Sequence, residues 1–176
     1  TPRRKLQKPW SEMTISTGTR LCRNWGELGR RLAMGNAETG AKFFADGVAG
    51  LKNIPETARS AVFQVCTRQL VLSSSISLET FQLIPDLAKK VGDDKLLTDI
   101  LLLAVEIAQR SAKHSYEFLQ NTPDVAAALA KFEKGKDDVS PAILALAAQF
   151  AERTGGMTAD LWANLPAALE KITAED

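Results

Sequence analysis

Stacked α-helical repeats, with no β-sheet, are the fold class this sequence predicts, and three observations predict it. First, a frame recurs: Ser77-x-x-x-Phe81-x-x-x-Pro85, Ser115-x-x-x-Leu119-x-x-x-Pro123 and Thr158-x-x-x-Trp162-x-x-x-Pro166, with Gly40, Phe44 and Val48 as a degenerate earlier copy. Second, the anchors Phe44, Phe81, Leu119 and Trp162 lie 37, 38 and 43 residues apart, a spacing that marks a solenoid of helical units. Third, apolar residues recur at three and four throughout, and no segment alternates with the period of two that a half-buried strand needs. The architecture expected is HEAT/armadillo-like, with a period near 40 residues. The anchors would fill equivalent places between successive units, because a lone helical hairpin cannot bury both of its apolar sides.

Two segments are expected: 1–18, a basic arm or cap, and 19–176, the helical-repeat domain of a longer chain. Residues 1–18 are basic, polar and punctuated by proline. From Thr19 the spacing of Leu21, Cys22, Trp25, Leu28 and Leu32 predicts an amphipathic helix that stops at Gly35-Asn36. Glu38 to Leu51 is the next helix, with Phe43, Phe44 and Val48 inward. Asn53-Ile-Pro55 ends it, and Pro55 suits the first turn of a third helix, whose stripe is Ala61, Val62, Val65, Cys66 and Leu70.

Ser77 is expected to cap the following helix, its hydroxyl taking a free backbone N–H. Pro85 lies too deep for a first-turn proline, so either the helix kinks or a new turn starts there. Gly92 closes this segment, and Asp93-Asp94 opens the next at the positive end of its dipole. Lys95 to Arg110 is apolar on nearly all sides, as a helix between neighbours would be. The turn Ser111 to Ser115 leads into Tyr116, Phe118, Leu119, Val125 and Leu129. Lys134 to Asp138 is expected as a surface loop that accounts for the longest spacing. Ser140-Pro141 reads as cap and first-turn proline. Gly155-Gly156 is expected to stop that helix, and Thr158 to cap the last one.

Composition excludes little. The chain has 22 Lys and Arg against 21 acidic residues in 176, so net charge points to no polyanionic partner. The distribution is uneven, because eight basic residues precede residue 32 against only Glu12 and Glu27. That basic leading edge makes Arg3, Arg4, Lys5, Lys8, Arg30 and Arg31 the candidate partner-binding residues. No apolar run reaches the roughly 18 residues of a membrane span, so no membrane partner is expected. Cys22 and Cys66 have no metal-ligand spacing and read as buried small hydrophobes in a reduced, cytoplasmic setting.

No motif identifies a reaction, and the chain is not expected to be an enzyme or to hold a cofactor. His114, the sole histidine, falls in a predicted turn. Asp93/Asp94 and Asp137/Asp138 open helices and lack the acidic alternation of a calcium loop. Gly47, Gly50, Gly155 and Gly156 match no phosphate loop, and the Ser73–Ser75 tract lacks a Gly-x-Ser-x-Gly frame. A nucleic-acid-binding helical array is the alternative, using the basic N-terminal segment. It needs Lys or Arg at equivalent repeat positions; Arg110 and Arg153 correspond, but Leu72 and Gly35 hold the earlier places, which argues against it.

The unit Ala104-Val-Glu-Ile-Ala-Gln-Arg-Ser111 followed by Phe118-Leu-Gln-Asn-Thr-Pro123 occurs again as Ala147-Ala-Gln-Phe-Ala-Glu-Arg-Thr154 followed by Leu161-Trp-Ala-Asn-Leu-Pro166. Over residues 20–172 it resembles the helical-repeat region that precedes the von Willebrand A domain in CbbO/NorD-type proteins. The resemblance implies an adaptor of a hexameric MoxR-type AAA+ ATPase, with an A domain downstream. It implies a client enzyme too: Rubisco, remodelled from its inhibited form as by an activase, in one branch, and nitric-oxide reductase during maturation in the other. The family's metal site needs Asp-x-Ser-x-Ser; this sequence lacks it, so no metal ligand carries over.

Overall fold

A computed structural model of the chain describes residues 15–132 and 139–175, with the side chains of 15–22, 46–49, 51 and 173–175 outside that description. Among the described residues every regular element is helical: α1 (Ile15–Gly35), α2 (Ala37–Lys52), α3 (Glu56–Leu72), α4 (Ser74–Val91), α5 (Asp94–Ala108), α6 (Ala112–Phe132), α7 (Ser140–Arg153) and α8 (Gly155–Glu175). The all-α expectation holds. Each odd-numbered helix folds back on the even one that follows. Odd helices also touch odd ones in chain order, and even helices touch even ones, so the described helices form two layers of four. No described helix is long and apolar enough to cross a membrane. The first helix begins at Ile15, inside the segment expected as an arm; residues 1–14 and the expected loop at 134–138 lie outside the described residues.

The hairpins turn on very short breaks, and sequence placed their caps one turn too late. Asn36 Oδ1 accepts from the backbone N–H of Glu38 (2.9 Å) and Thr39 (3.2 Å). Ser73, extended at φ −159°, accepts from Ile76 N–H, and Ser111 Oγ accepts from His114 N–H at 3.2 Å. These are the N-caps. Ser77 and Ser115, expected in that role or in the turn, are instead fully buried one turn inside α4 and α6. Ser77 Oγ donates to the carbonyl of Cys66 at 2.7 Å, and Ser115 Oγ to that of Ala104 at 2.8 Å. A hydroxyl can reach across to the backbone of the facing helix only where the two helices approach closely, so a small polar residue fits there. Thr158 is buried too, and its hydroxyl donates to the carbonyl of Thr154, the residue just before α8.

Other boundaries shift for similar reasons. Thr154 breaks the chain between α7 and α8, and Gly155-Gly156 belong to the first turn of α8 rather than to a stop. A Cβ at Gly155 would lie 2.8 Å from Ile107 Cγ2, and one at Gly156 3.3 Å from His114 Cε1. His114 is thus half-buried on α6, not in a loop. Ser140 is the first residue of α7, with Pro141 in its first turn. Gly92, at φ 69°, ends α4 as expected, and Asp93 Oδ1 caps α5 through Leu96 N–H at 2.6 Å. Pro85, Pro123 and Pro166 all lie inside continuous helices, each in the twelfth position. Of the two alternatives at Pro85, the new turn is therefore excluded. Each proline withholds its N–H from the residue four earlier, which is Phe81, Leu119 or Trp162.

Those anchors sit at the eighth position of α4, α6 and α8, as Phe44 does in α2. Phe81 packs on Phe43, the seventh residue of α2, with ring centroids 5.1 Å apart; Trp162 packs on Phe118, the seventh residue of α6, at 4.7 Å. Phe44 is only half-buried, its ring lying over Gly29 of α1, and Phe43 takes the core position. Phe44 has no preceding described hairpin to enter. Trp25 completes the first aromatic cluster, touching Phe43, Phe63 and Phe81. The near-continuously apolar α5 buries eight residues and lies against α3, α6 and α7, as its composition predicts.

One polar cluster ties α3, α5 and α6 together. Gln69, fully buried, donates through Nε2 to Ser115 Oγ at 3.1 Å, while its own Oε1 has no partner. Ser115 uses its proton on the Ala104 carbonyl and its lone pair on Gln69. Ser115→Ala is expected to cost about 1–3 kcal/mol, because the Gln69 amide is then wholly unpaired. Gln69→Leu is expected to be neutral or stabilising, since it removes the orphan acceptor. Urea denaturation of the two variants checks the opposite signs.

Cys66 is a free, fully buried thiol, pushed up to about 12 by burial. It behaves as the small hydrophobe expected; the Cys22 side chain lies outside the described residues. Because the folded value exceeds that of the unfolded thiol, roughly 8.5, this group's contribution to stability is complete below pH about 8.5 and lost as pH rises toward 12. The expected loss is about tenfold in the folding equilibrium per pH unit in that window. Cys66→Ala should flatten the alkaline limb of stability against pH by that amount, measured by denaturant titration.

Candidate functional site

A concavity on the described surface runs across the odd-numbered layer. One section, about 620 Å³, lies between α1, α3 and α5 and is lined by Asn24, Glu27, Arg31, Gln64, Arg68, Glu106 and Gln109 among others. A second section, about 600 Å³, lies between α3, α5 and α7, lined by Leu102, Leu103, Pro141, Leu144 and Ala145, with Asp99 beside them. Gln64, Val105 and Glu106 line both, so the two sections are one groove.

Helical spacing brings these side chains to one side. Asn24, Glu27, Leu28 and Arg31 form an i, i+3, i+4, i+7 stripe on α1, and Leu102, Val105, Glu106 and Gln109 the same stripe on α5. Glu27, Gln64, Leu102 and Ala145 follow each other at 37, 38 and 43 residues, the spacing of the core anchors. The groove floor thereby passes from ionic to polar to apolar along the molecule.

Its electrostatics are nearly balanced. Arg30 Nη2 and Arg31 Nε each lie 2.8 Å from Glu27 Oε1. Hydrogen bonds from Arg30 and then Arg31 hold the Glu27 carboxyl down at about 2. All three groups are exposed, so the cluster fixes side-chain positions more than it stabilises the fold. Gln109 Nε2 donates to Glu106 Oε2 at 2.7 Å. Arg68 is exposed and has no hydrogen bond or ion pair among the described residues.

The candidate residues read from the sequence fare unequally. Arg3, Arg4, Lys5 and Lys8 lie outside the described residues. Arg30 and Arg31 are together on α1, but both are turned to Glu27, and only Arg31 lines the groove. Arg110 donates to the Ala151 carbonyl at 3.4 Å, in the last turn of α7, where a cation complements the helix dipole. Asn24, Gln64 and Arg68 are among the groove residues that the sequence reading missed. Their signal is the polar stripe on α1 and α3, which alone is indistinguishable from a solvated face. Among the described residues no three His, Cys, Asp or Glu side chains converge as a metal ion would require.

Comparisons with protein-family models, with curated proteins and with solved structures find no match for this chain.

Proposed function

We propose that this chain is a non-catalytic docking scaffold, a HEAT/armadillo-like stack of helical repeats with a period near 40 residues, that binds protein along the groove of its odd-numbered helices. The observation that carries this reading is the groove itself: corresponding positions of successive hairpins line it, and its floor changes from ionic to apolar along its length. The repeated anchor packing, Phe81 on Phe43 and Trp162 on Phe118, supports the periodic part. Such a row suits a partner that carries varied side chains. A phosphate backbone would want a run of cations instead, and here Glu27 and Glu106 interrupt Arg31 and Arg68.

The resemblance to the CbbO/NorD-type helical region supplies the partner class: a MoxR-type AAA+ ATPase together with its client enzyme, such as Rubisco, in the cytoplasm. Size-exclusion chromatography of the chain with ATPase and client, in the apo, ADP and ATP-analogue states, tests it. Co-elution in at least one state is expected. Absence of co-elution in all three overturns the adaptor reading. Titration with duplex and single-stranded DNA at two salt concentrations is expected to give no salt-dependent binding; a steep salt dependence would favour the nucleic-acid alternative instead.

A further inference from the structure

We propose that the groove takes an extended peptide segment bearing one bulky aliphatic side chain and, toward the α1 end, one carboxylate. The proposal rests on the docking reading and specifies the chemistry of the partner. Four helices lie along the groove, and neighbouring helix axes are about 8–10 Å apart. Three such steps amount to roughly 24–30 Å, the reach of about eight extended residues at ~3.3 Å each.

Two unsatisfied features fix what those residues carry. At the α5–α7 section Leu102 is 42% exposed beside Leu144 and Pro141, so an aliphatic side chain there would take apolar surface out of water on both partners. At the α1–α3 section the ionic groups are settled save one. Glu27 holds Arg31, and Gln109 bonds Glu106, which leaves Arg68 as the groove cation with no partner among the described residues. A guanidinium fork so placed matches a carboxylate in two parallel hydrogen bonds. Gln64 lines both sections and Asn24 the first, and their side-chain amides offer both donor and acceptor to a peptide main chain, although Gln64 Nε2 also reaches Ser60 Oγ at 3.4 Å. Asp99, also without an ion pair among the described residues, lies at the apolar section and disfavours a second acid there. The segment therefore has a direction: carboxylate toward Arg68, aliphatic toward Leu102.

The test is fluorescence anisotropy with a labelled decapeptide library, one Leu and one Asp placed in a Gly/Ser background at every spacing and in both orders. One order and a narrow range of spacings should be selected, and Asp→Asn in the selected peptide should weaken binding about tenfold. Arg68→Gln should make the Asp and Asn peptides equal, whereas Leu102→Ser should weaken both alike. Both positions are exposed, so an unchanged circular dichroism melt is expected to show that each variant folds. A preference for Lys over Asp, or an Asp–Asn difference that survives Arg68→Gln, overturns the proposal. Co-elution with the protein partner that persists while no library member binds overturns this peptide proposal and leaves the docking reading in place. No co-elution in any nucleotide state removes the docking reading and this proposal together.

Discussion

Phe81→Ala is expected to destabilise the fold by about 3–5 kcal/mol, a large share of the roughly 5–15 kcal/mol that holds a domain of ordinary size. The ring is 1% exposed and touches two other rings, Trp25 at 4.6 Å and Phe43 at 5.1 Å. Those partners belong to α1 and α2, whereas Phe81 belongs to α4, so the side chain joins two hairpins. Gly50 lies close by: a Cβ there would be 3.6 Å from Phe81 Cζ, leaving the α2 backbone against the ring. Backbone so placed cannot refill the space of a lost phenyl group without dragging the first hairpin inward. The lost energy should therefore fall on α1 and α2 first. Hydrogen exchange read by mass spectrometry should show amides of 23–45 exchanging much faster in Phe81→Ala, with those of α6 and α8 little changed. Uniform loss of protection along the chain would contradict this, and would mean that the hairpins unfold as one cooperative unit.

How far the sequence led depends on what each residue type can signal alone. The anchors were legible, because a bulky residue four before a proline and four after a small polar one is rare enough to be noticed three times. The helical character of α5 was legible from its apolar surround. Cap positions were not, because a serine bonding a free N–H and a serine bonding the facing helix look alike in sequence. Ser73 and Ser77 show both uses four residues apart. Gly155-Gly156 misled for a similar reason: glycine near a helix end reads as a stop, yet here it admits Ile107 and His114. The groove was the least legible feature. Asn24, Gln64 and Arg68 are ordinary surface residues until α1 and α3 are laid side by side, and the attraction of Arg31 to Glu27 becomes decisive only when Arg68 is seen to lack such a partner.

Trp162→Ala is expected to cost as much as Phe81→Ala, about 3–5 kcal/mol, although the sequence predicts a milder effect for an anchor in the last unit. That expectation assumes a ring covered on one side only. Trp162 is instead 0% exposed, and its indole lies 4.7 Å from the Phe118 ring. Its Nε1 donates to Thr122 Oγ1 at 3.0 Å, and that hydroxyl in turn donates to the Phe118 carbonyl at 2.9 Å. The tryptophan thus fastens α8 to α6 by packing and by a buried hydrogen bond together. Trp162→Phe separates the two parts. It keeps most of the ring contact and removes the indole donor, while Thr122 retains its own acceptor, so about 1 kcal/mol plus a small packing loss is expected. The alanine variant should release α7 and α8 in hydrogen exchange and leave α1 and α2 protected, the mirror of Phe81→Ala. Equal costs with opposite-end footprints would mean that both rings join a hairpin to the one before it. A cost under about 1 kcal/mol for Trp162→Ala would instead mean that the last hairpin is held elsewhere, through α5 and α7.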